Sequence, residues 1–276
     1  MGNRVLTYGD RSLDLGEPKV MGILNITPDS FFDGGNYVTE DDQLRQVEKM
    51  LAEGAAVIDV GAVSTRPGAK PVSEEEERKR LIPAVKAILR RFPDCLLSVD
   101  TWRPGIAGEA IGNGAWMIND ISGGTFDPRI LELAASHKIP YVMMHIRGTP
   151  ETMQVNPEYG DVVAEIMDFF RQQLSLLPPG YRQVILDPGF GFGNTDRHNF
   201  TLLSRFGEFR SMGFPVMAGL SRKSMINRTL KTAPEDALNG TTVLNTVALL
   251  KGADILRVHD VREAAEAIRL VSMLKE

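Results

Sequence analysis

The chain has 276 residues, 43% hydrophobic and 24% charged, which suits one large α/β domain or two small ones with ample core. A net charge of −5 supplies no global field for nucleic acid, so any anionic ligand must be held by local cations. The single cysteine, Cys95, excludes an internal disulfide, and no apolar run approaches the ~18 residues of a membrane span. With no apolar signal segment at the start, the expectation is a soluble cytoplasmic protein with neither nucleic acid nor membrane as partner.

Residues 4–16 hold two short runs around Gly9-Asp10, which predicts a β-hairpin outside the main pattern. After it, strand-length apolar runs alternate with amphipathic stretches. The predicted strands are 20–25, 56–60, 96–100, 115–119, 140–145, 183–187, 214–219 and 254–259. The predicted helices are 39–53, 73–91, 103–112, 128–137, 158–176, 198–211, 222–251 with a break at Pro234, and 261–274. Thr39 and Ser73 precede acidic runs suited to helix N-termini, so the Glu74–Arg80 charge run reads as a solvated helix face.

Eight β-then-α units in ~250 residues fit a single (β/α)8 TIM barrel, with 18–274 the barrel proper and 1–276 one domain. A doubly wound sheet is the alternative, although six strands would be more usual there.

Each predicted strand ends in a polar residue or glycine: Asn25, Asp59, Asp100, Asn119, His145, Asp187, Gly219 and His259. In a barrel these ends converge at one mouth, where an active site belongs. Buried carboxylates are costly unless paired, so Asp59, Asp100 and Asp187 cannot all be idle, although an orienting role would suit Asp59 equally. Arg257 and His259 lie two apart on one strand face, and Leu220-Ser221-Arg222-Lys223-Ser224 follows Gly219 at a strand-to-helix turn. Together they predict a phosphate site after the last two strands, with Arg222 the more superficial of the cations.

The run Asp187-Pro-Gly-Phe-Gly-Phe-Gly193 lacks the spacing of a dinucleotide fingerprint; its glycines suit close approach to a flat ligand, with Phe190 or Phe192 either a stacking wall or core. No zinc-like cluster and no nucleophile elbow are apparent: Ser64 and Ser221 have no histidine beside them in sequence, and His137 and His198 read as surface or capping residues. The polar loops 25–35, carrying Phe31 and Phe32, and 61–71, carrying Ser64-Thr65-Arg66-Pro67-Gly68, follow adjacent strands and suit folding over a ligand.

The ordered set Met21–Phe31, Ser64–Gly68, Ser98-Val-Asp100, Asn119-Asp120, Asp187–Gly193, Ser221–Ser224 and Arg257-Val-His-Asp260 resembles the dihydropteroate synthase family over nearly the whole chain. That resemblance implies a transferase that condenses 6-hydroxymethyl-7,8-dihydropterin diphosphate with p-aminobenzoate in folate synthesis, a sulfonamide target, dependent on Mg²⁺ and homodimeric. It implies that Asp100, Asn119 and Asp187 bind the donor edge of the pterin and Lys223 its acceptors, with Phe192 and Gly219 bordering the ring. Arg257, His259 and Asn25 would hold the diphosphate, Asn25 also touching Mg²⁺, while Thr65, Arg66, Pro67 and Ser221 would serve the lid and the p-aminobenzoate site. Catalysis would fall to Asp100, Lys223, Arg257 and His259. The chain departs from the family in Gly61-Ala62-Val63, where many members read Gly-Gly-Glu, and in Phe32, commonly Ser. A pterin-binding methyltransferase domain would share the barrel and the acids but needs neither Ser64–Gly68 nor Arg257 and His259; a non-enzymatic paralogue would have lost some of them.

Overall fold

The computed structural model describes residues 4–27, 39–64, 72–153, 155 and 157–274. Strands β1 (Val5–Tyr8) and β2 (Arg11–Asp14) form the expected antiparallel hairpin, turning through Gly9 at φ +62°. Eight parallel strands follow: β3 (Lys19–Asn25), β4 (Val57–Gly61), β5 (Leu97–Asp100), β6 (Met117–Asp120), β7 (Tyr141–Met144), β8 (Val184–Asp187), β9 (Met217–Ala218) and β10 (Ile255–Val258). The sheet runs β8-β7-β6-β5-β4-β3-β10-β9. It closes where the Leu186 N–H donates to the Pro215 carbonyl at 2.9 Å beside a Leu186–Val216 bridge. This is the (β/α)8 barrel, not an open doubly wound sheet.

The helices are α1 (Glu40–Ala52), α2 (Glu74–Arg91), α3 (Pro104–Gly112), α4 (Arg129–His137), α5 (Val162–Ser175), α6 (Asp196–Ser204), α7 (Ser224–Leu230), α8 (Ala237–Leu250) and α9 (Val261–Ser272). Thr39 and Ser73 cap α1 and α2 as expected, and His198 completes a capping box with Thr195 at the start of α6. The predicted helix 222–251 is split: Lys231 at φ 55° ends α7, and a 3₁₀ turn at Pro234–Asp236 leads into α8.

Two expectations fail locally. Strand 214–219 shrinks to two residues because Pro215 has no N–H to pair, and the Val216 N–H is taken by the Asp254 carboxylate at 2.9 Å. Glu77 is not on a solvated face: it is wholly buried, bound to Arg103 from the loop before α3.

The lower half of the barrel interior is apolar. Met21, Val57, Met117, Val142, Ile185, Met217 and Ile255 form one cluster with Leu6, Leu13 and Leu15 of the hairpin, which therefore plugs the N-terminal end. Arg4 pairs with Asp254 at 2.7 Å, and Arg11 donates to the carbonyls of Cys95 and Gly114, holding the plug in place. Polar side chains are left to the upper interior and the C-terminal mouth.

Candidate active site

Side chains alternate along each strand, so the inward positions two above the apolar layer include Asp59, Asn119, Asp187 and Arg257. The Arg257 guanidinium donates from Nε to Asp59 Oδ2 and from Nη2 to Asp100 Oδ2, each at 2.7 Å. Asn119 Nδ2 donates to the same Asp59 Oδ2 at 2.8 Å. Asp59 is fully buried and β4 continues past it to Gly61, so it is not at a strand end. It lies beneath the mouth and orients Asn119 and Arg257, the orienting role that the sequence allowed it equally.

Burial pushes the Asp100 carboxyl up to about 7, with Asp59 adding to the rise and Arg257 opposing it. Burial likewise raises Asp187, against the pull of the Gly189 N–H, which donates to Asp187 Oδ1 at 2.8 Å, and of Lys223 and Arg257. For Arg257 burial works against the charge, but Asp59 and Asp100 outweigh it and hold the proton above the ordinary arginine range.

The glycine-rich turn after β8 is close-packed, though against the protein's own chain. Gly189 (φ +75°) leaves no room for a Cβ, which would fall 1.9 Å from the His145 carbonyl oxygen. A Cβ at Gly191 would stand 3.2 Å from Lys223 Cδ. Phe190 is core, stacked on Phe206, whereas Phe192 lies beneath the Lys223 ammonium, 4.3 Å from Nζ to the ring centre. Gly219 borders Asp187: a Cβ there would be 3.8 Å from Oδ2.

An apolar wall escaped the sequence reading. Ile121, Met144, Ile146 and Met153 cluster with Trp102, Phe126 and Phe192 above the β6 and β7 ends. Met144, and not its polar neighbour His145, faces this wall; the His145 ring packs edge-on against Phe169, and burial depresses it to about 4. Asp120 points outward, accepts the Tyr141 hydroxyl at 2.6 Å and ties down the 120–124 turn.

The turns after β9 and β10 are joined twice. Ser221 Oγ lies 3.0 Å from His259 Nδ1 and accepts the His259 backbone N–H at 3.2 Å. Arg222 makes a two-pronged pair with Asp260, 2.8 Å on each arm. Both findings correct the sequence reading: Ser221 does have a histidine beside it, brought from 38 residues away, and Arg222 is not a surface cation, its side chain being only 15% exposed. Arg222 takes φ 53°, the left-handed region that costs a side-chain-bearing residue, and the pair to Asp260 helps hold it there.

Asn25 ends β3 at the rim, half-buried, next to Gly61 of β4. Phe31, Phe32, Thr65, Arg66 and Pro67 lie outside the described residues. Ala62, one of the family departures, is completely buried. Asp100, Asn119, Asp187, Gly219, Phe192, Lys223, Arg257, Ser221, His259 and Asn25 thus all stand at the C-terminal mouth. Among the described residues no group of three acidic, histidine or cysteine side chains could hold a metal ion.

The sequence matches the family model described as "Pterin binding enzyme" over residues 21–259. It is 46% identical over 263 residues to the dihydropteroate synthase of Escherichia coli K12, covering 94% of this chain and 93% of that one. The fold superposes on a dihydropteroate synthase of Yersinia pestis solved with a sulfonamide drug, with TM-score 0.93, 41% identity and coverage of 98% and 99%. A Thermus thermophilus dihydropteroate synthase solved with 4-aminobenzoate gives TM-score 0.84 at 40% identity, covering 98% and 100%. The chain belongs to the pterin binding enzymes and, within them, to the dihydropteroate synthases.

Proposed function

We propose that this mouth joins 6-hydroxymethyl-7,8-dihydropterin diphosphate to p-aminobenzoate, giving 7,8-dihydropteroate and pyrophosphate, with the following division of labour. The convergence of Asp100, Asn119 and Asp187 at one mouth of the barrel, with Lys223 above Phe192, carries the reading. A pterin offers ring N–H and amino donors along one edge and nitrogen and oxygen acceptors elsewhere. The three acceptors answer the first and the ammonium the second. Phe192, Met144 and Ile121 supply apolar surface for the flat ring.

Arg257 spends Nε and Nη2 on Asp59 and Asp100, so Nη1 is the group that meets the diphosphate, together with His259 and Asn25. Mg²⁺ would neutralise charge on the departing diphosphate. Among the described residues no three acidic, histidine or cysteine side chains form a cage, so the ion would arrive with the diphosphate and be touched by the Asn25 amide oxygen. As the C–O bond at the pterin methylene breaks, positive charge spreads into the ring, and the Asp100 carboxylate stabilises it. The weakly nucleophilic amine of p-aminobenzoate then adds, without a covalent enzyme intermediate. Ser221 borders the p-aminobenzoate site, with Thr65, Arg66 and Pro67 completing it, and sulfonamides compete there.

An assay of pyrophosphate release tests the reading. Release must require both substrates; release from the pterin diphosphate alone, at the same rate, would refute it.

The chain works as a homodimer in a reducing cytoplasm. Leu250 of α8 and Leu270, Met273 and Leu274 at the end of α9 are large apolar side chains more than half exposed on two helices that pack together. Cys95 is a lone buried thiol that burial pushes up to about 12, which keeps it unreactive. Among the described residues no helix is long and apolar enough to cross a membrane.

A further inference from the structure

We propose that Ser221 is a positioning residue that fixes the proton of neutral His259 on Nε2, so that the imidazole meets the diphosphate as a donor. This rests on the placement of the diphosphate at Arg257 and His259 given above.

Ser221 is 95% buried, and its hydroxyl has two neighbours, both from His259. The backbone N–H of His259 can only donate, so Oγ accepts that bond, at 3.2 Å. The hydroxyl hydrogen then needs an acceptor, and His259 Nδ1, at 3.0 Å, is the one within reach among the described residues. If Nδ1 carried the proton instead, Oγ would accept twice and its own hydrogen would be buried without a partner, an arrangement folded proteins avoid. Nδ1 therefore accepts, and in the neutral ring the proton sits on Nε2, the nitrogen on the far side from the β9–α7 turn. A ring nitrogen facing phosphate oxygens must donate, because two acceptors would repel. The Ser221 hydroxyl thus turns an ambivalent ring into one with a defined polarity.

The arrangement also links two parts of the site. Ser221 follows β9 and borders the p-aminobenzoate side, whereas His259 follows β10 on the diphosphate side. The Arg222–Asp260 pair, one residue along each turn, keeps the two turns in register. A hydroxyl at 221 is required for the bond; a small side chain alone is not enough.

The test is ¹⁵N NMR of histidine-labelled full-length enzyme above the imidazole pKa, with His259→Gln used to assign the His259 signals. Nδ1 should resonate as an unprotonated nitrogen and Nε2 as a protonated one. Ser221→Ala should abolish that preference, and inorganic pyrophosphate should bind about three- to tenfold more weakly. Ser221→Thr, which retains the hydroxyl, should restore both. A proton on Nδ1 in the unmutated enzyme, or an unchanged tautomer in Ser221→Ala, overturns the proposal. Pyrophosphate that leaves the wild-type His259 signals unmoved would instead remove the diphosphate assignment, and with it the donor role, while the tautomer result still judges Ser221.

Discussion

Arg257 and Asp59 form an ion pair inside the barrel, 2.7 Å from Nε to Oδ2, beneath the site and not at its rim. The same oxygen accepts from Asn119, so one buried carboxylate orients a ligand-facing amide and a ligand-facing guanidinium together. Asp59 has no exposed surface, and removing its cation leaves a buried charge uncompensated. Arg257→Ala should therefore cost about 3–5 kcal/mol of stability in addition to crippling turnover. Asp59→Asn combined with Arg257→Ala should lose less than Arg257→Ala alone. Chemical denaturation of the three variants checks this, and equal losses for the single and double variants would place the cost elsewhere. A pterin without phosphate should also bind Arg257→Ala somewhat more weakly, because Asp100 loses a partner, but far less weakly than the diphosphate substrate does.

Asp187 uses Oδ1 to accept the Gly189 N–H, leaving Oδ2 to face the pocket beside Gly219. An asparagine there keeps its oxygen on Gly189 and turns its NH₂ toward the pterin, setting donor against donor. Asp187→Asn should reduce affinity for a pterin analogue by about 2–3 kcal/mol with little loss of stability. Calorimetric titration measures it; unchanged affinity would mean the pterin edge lies elsewhere.

The barrel was readable because its signals are local. Each strand is a short apolar run, each helix an amphipathic stretch with acidic or hydroxyl start signals, and the order of units fixes the architecture. The polar strand ends gave Asp100, Asn119 and Asp187, since a carboxylate or amide in a buried run demands a reason. The missed features all depend on pairs distant in sequence. Arg222 looks like a surface cation until Asp260, 38 residues away, is folded against it, and the same separation hides the Ser221–His259 bond. Glu77 sits in a run of four glutamates and only the approach of Arg103 marks it as buried. Phe190 and Phe192 are alike in sequence; which is core follows from where Phe206 and Lys223 arrive.

The proposed homodimer makes a surface prediction. Leu270 is 72% exposed on α9, and a charge there disturbs nothing in the barrel core. Leu270→Glu should shift sedimentation equilibrium toward monomer while thermal unfolding of the barrel persists. A protein that sediments as a monomer before mutation would refute the dimer, and an unaffected dimer would move the interface off α9.

Asp100 makes stability depend on pH in a calculable direction. Its carboxyl ordinarily titrates near 3.8, but burial, together with the neighbouring Asp59, lifts it to about 7 in the folded chain despite Arg257. Between those values the folded state holds a proton that the unfolded state has lost. Stability on this account is therefore fully present below about pH 4, declines as pH rises, and reaches its floor above about pH 7. Asp187, Asp120 and Glu77 are raised as well, so the wild-type decline has several contributors. Asp100→Asn removes one of them, and its stability should fall less steeply with pH across that window than the wild type's. Urea denaturation at intervals from pH 4.5 to about 8 would measure the difference, and parallel curves would show that Asp100 is ionised throughout. The same balance bears on chemistry: at neutral pH in the free enzyme Asp100 lies near its midpoint, so a ligand that brings positive charge to the pterin methylene draws the proton off. Cation formation and Asp100 ionisation then favour one another. A cationic pterin analogue should accordingly release protons on binding at pH 7, detected as a buffer-dependent heat, and Asp100→Asn should abolish that release.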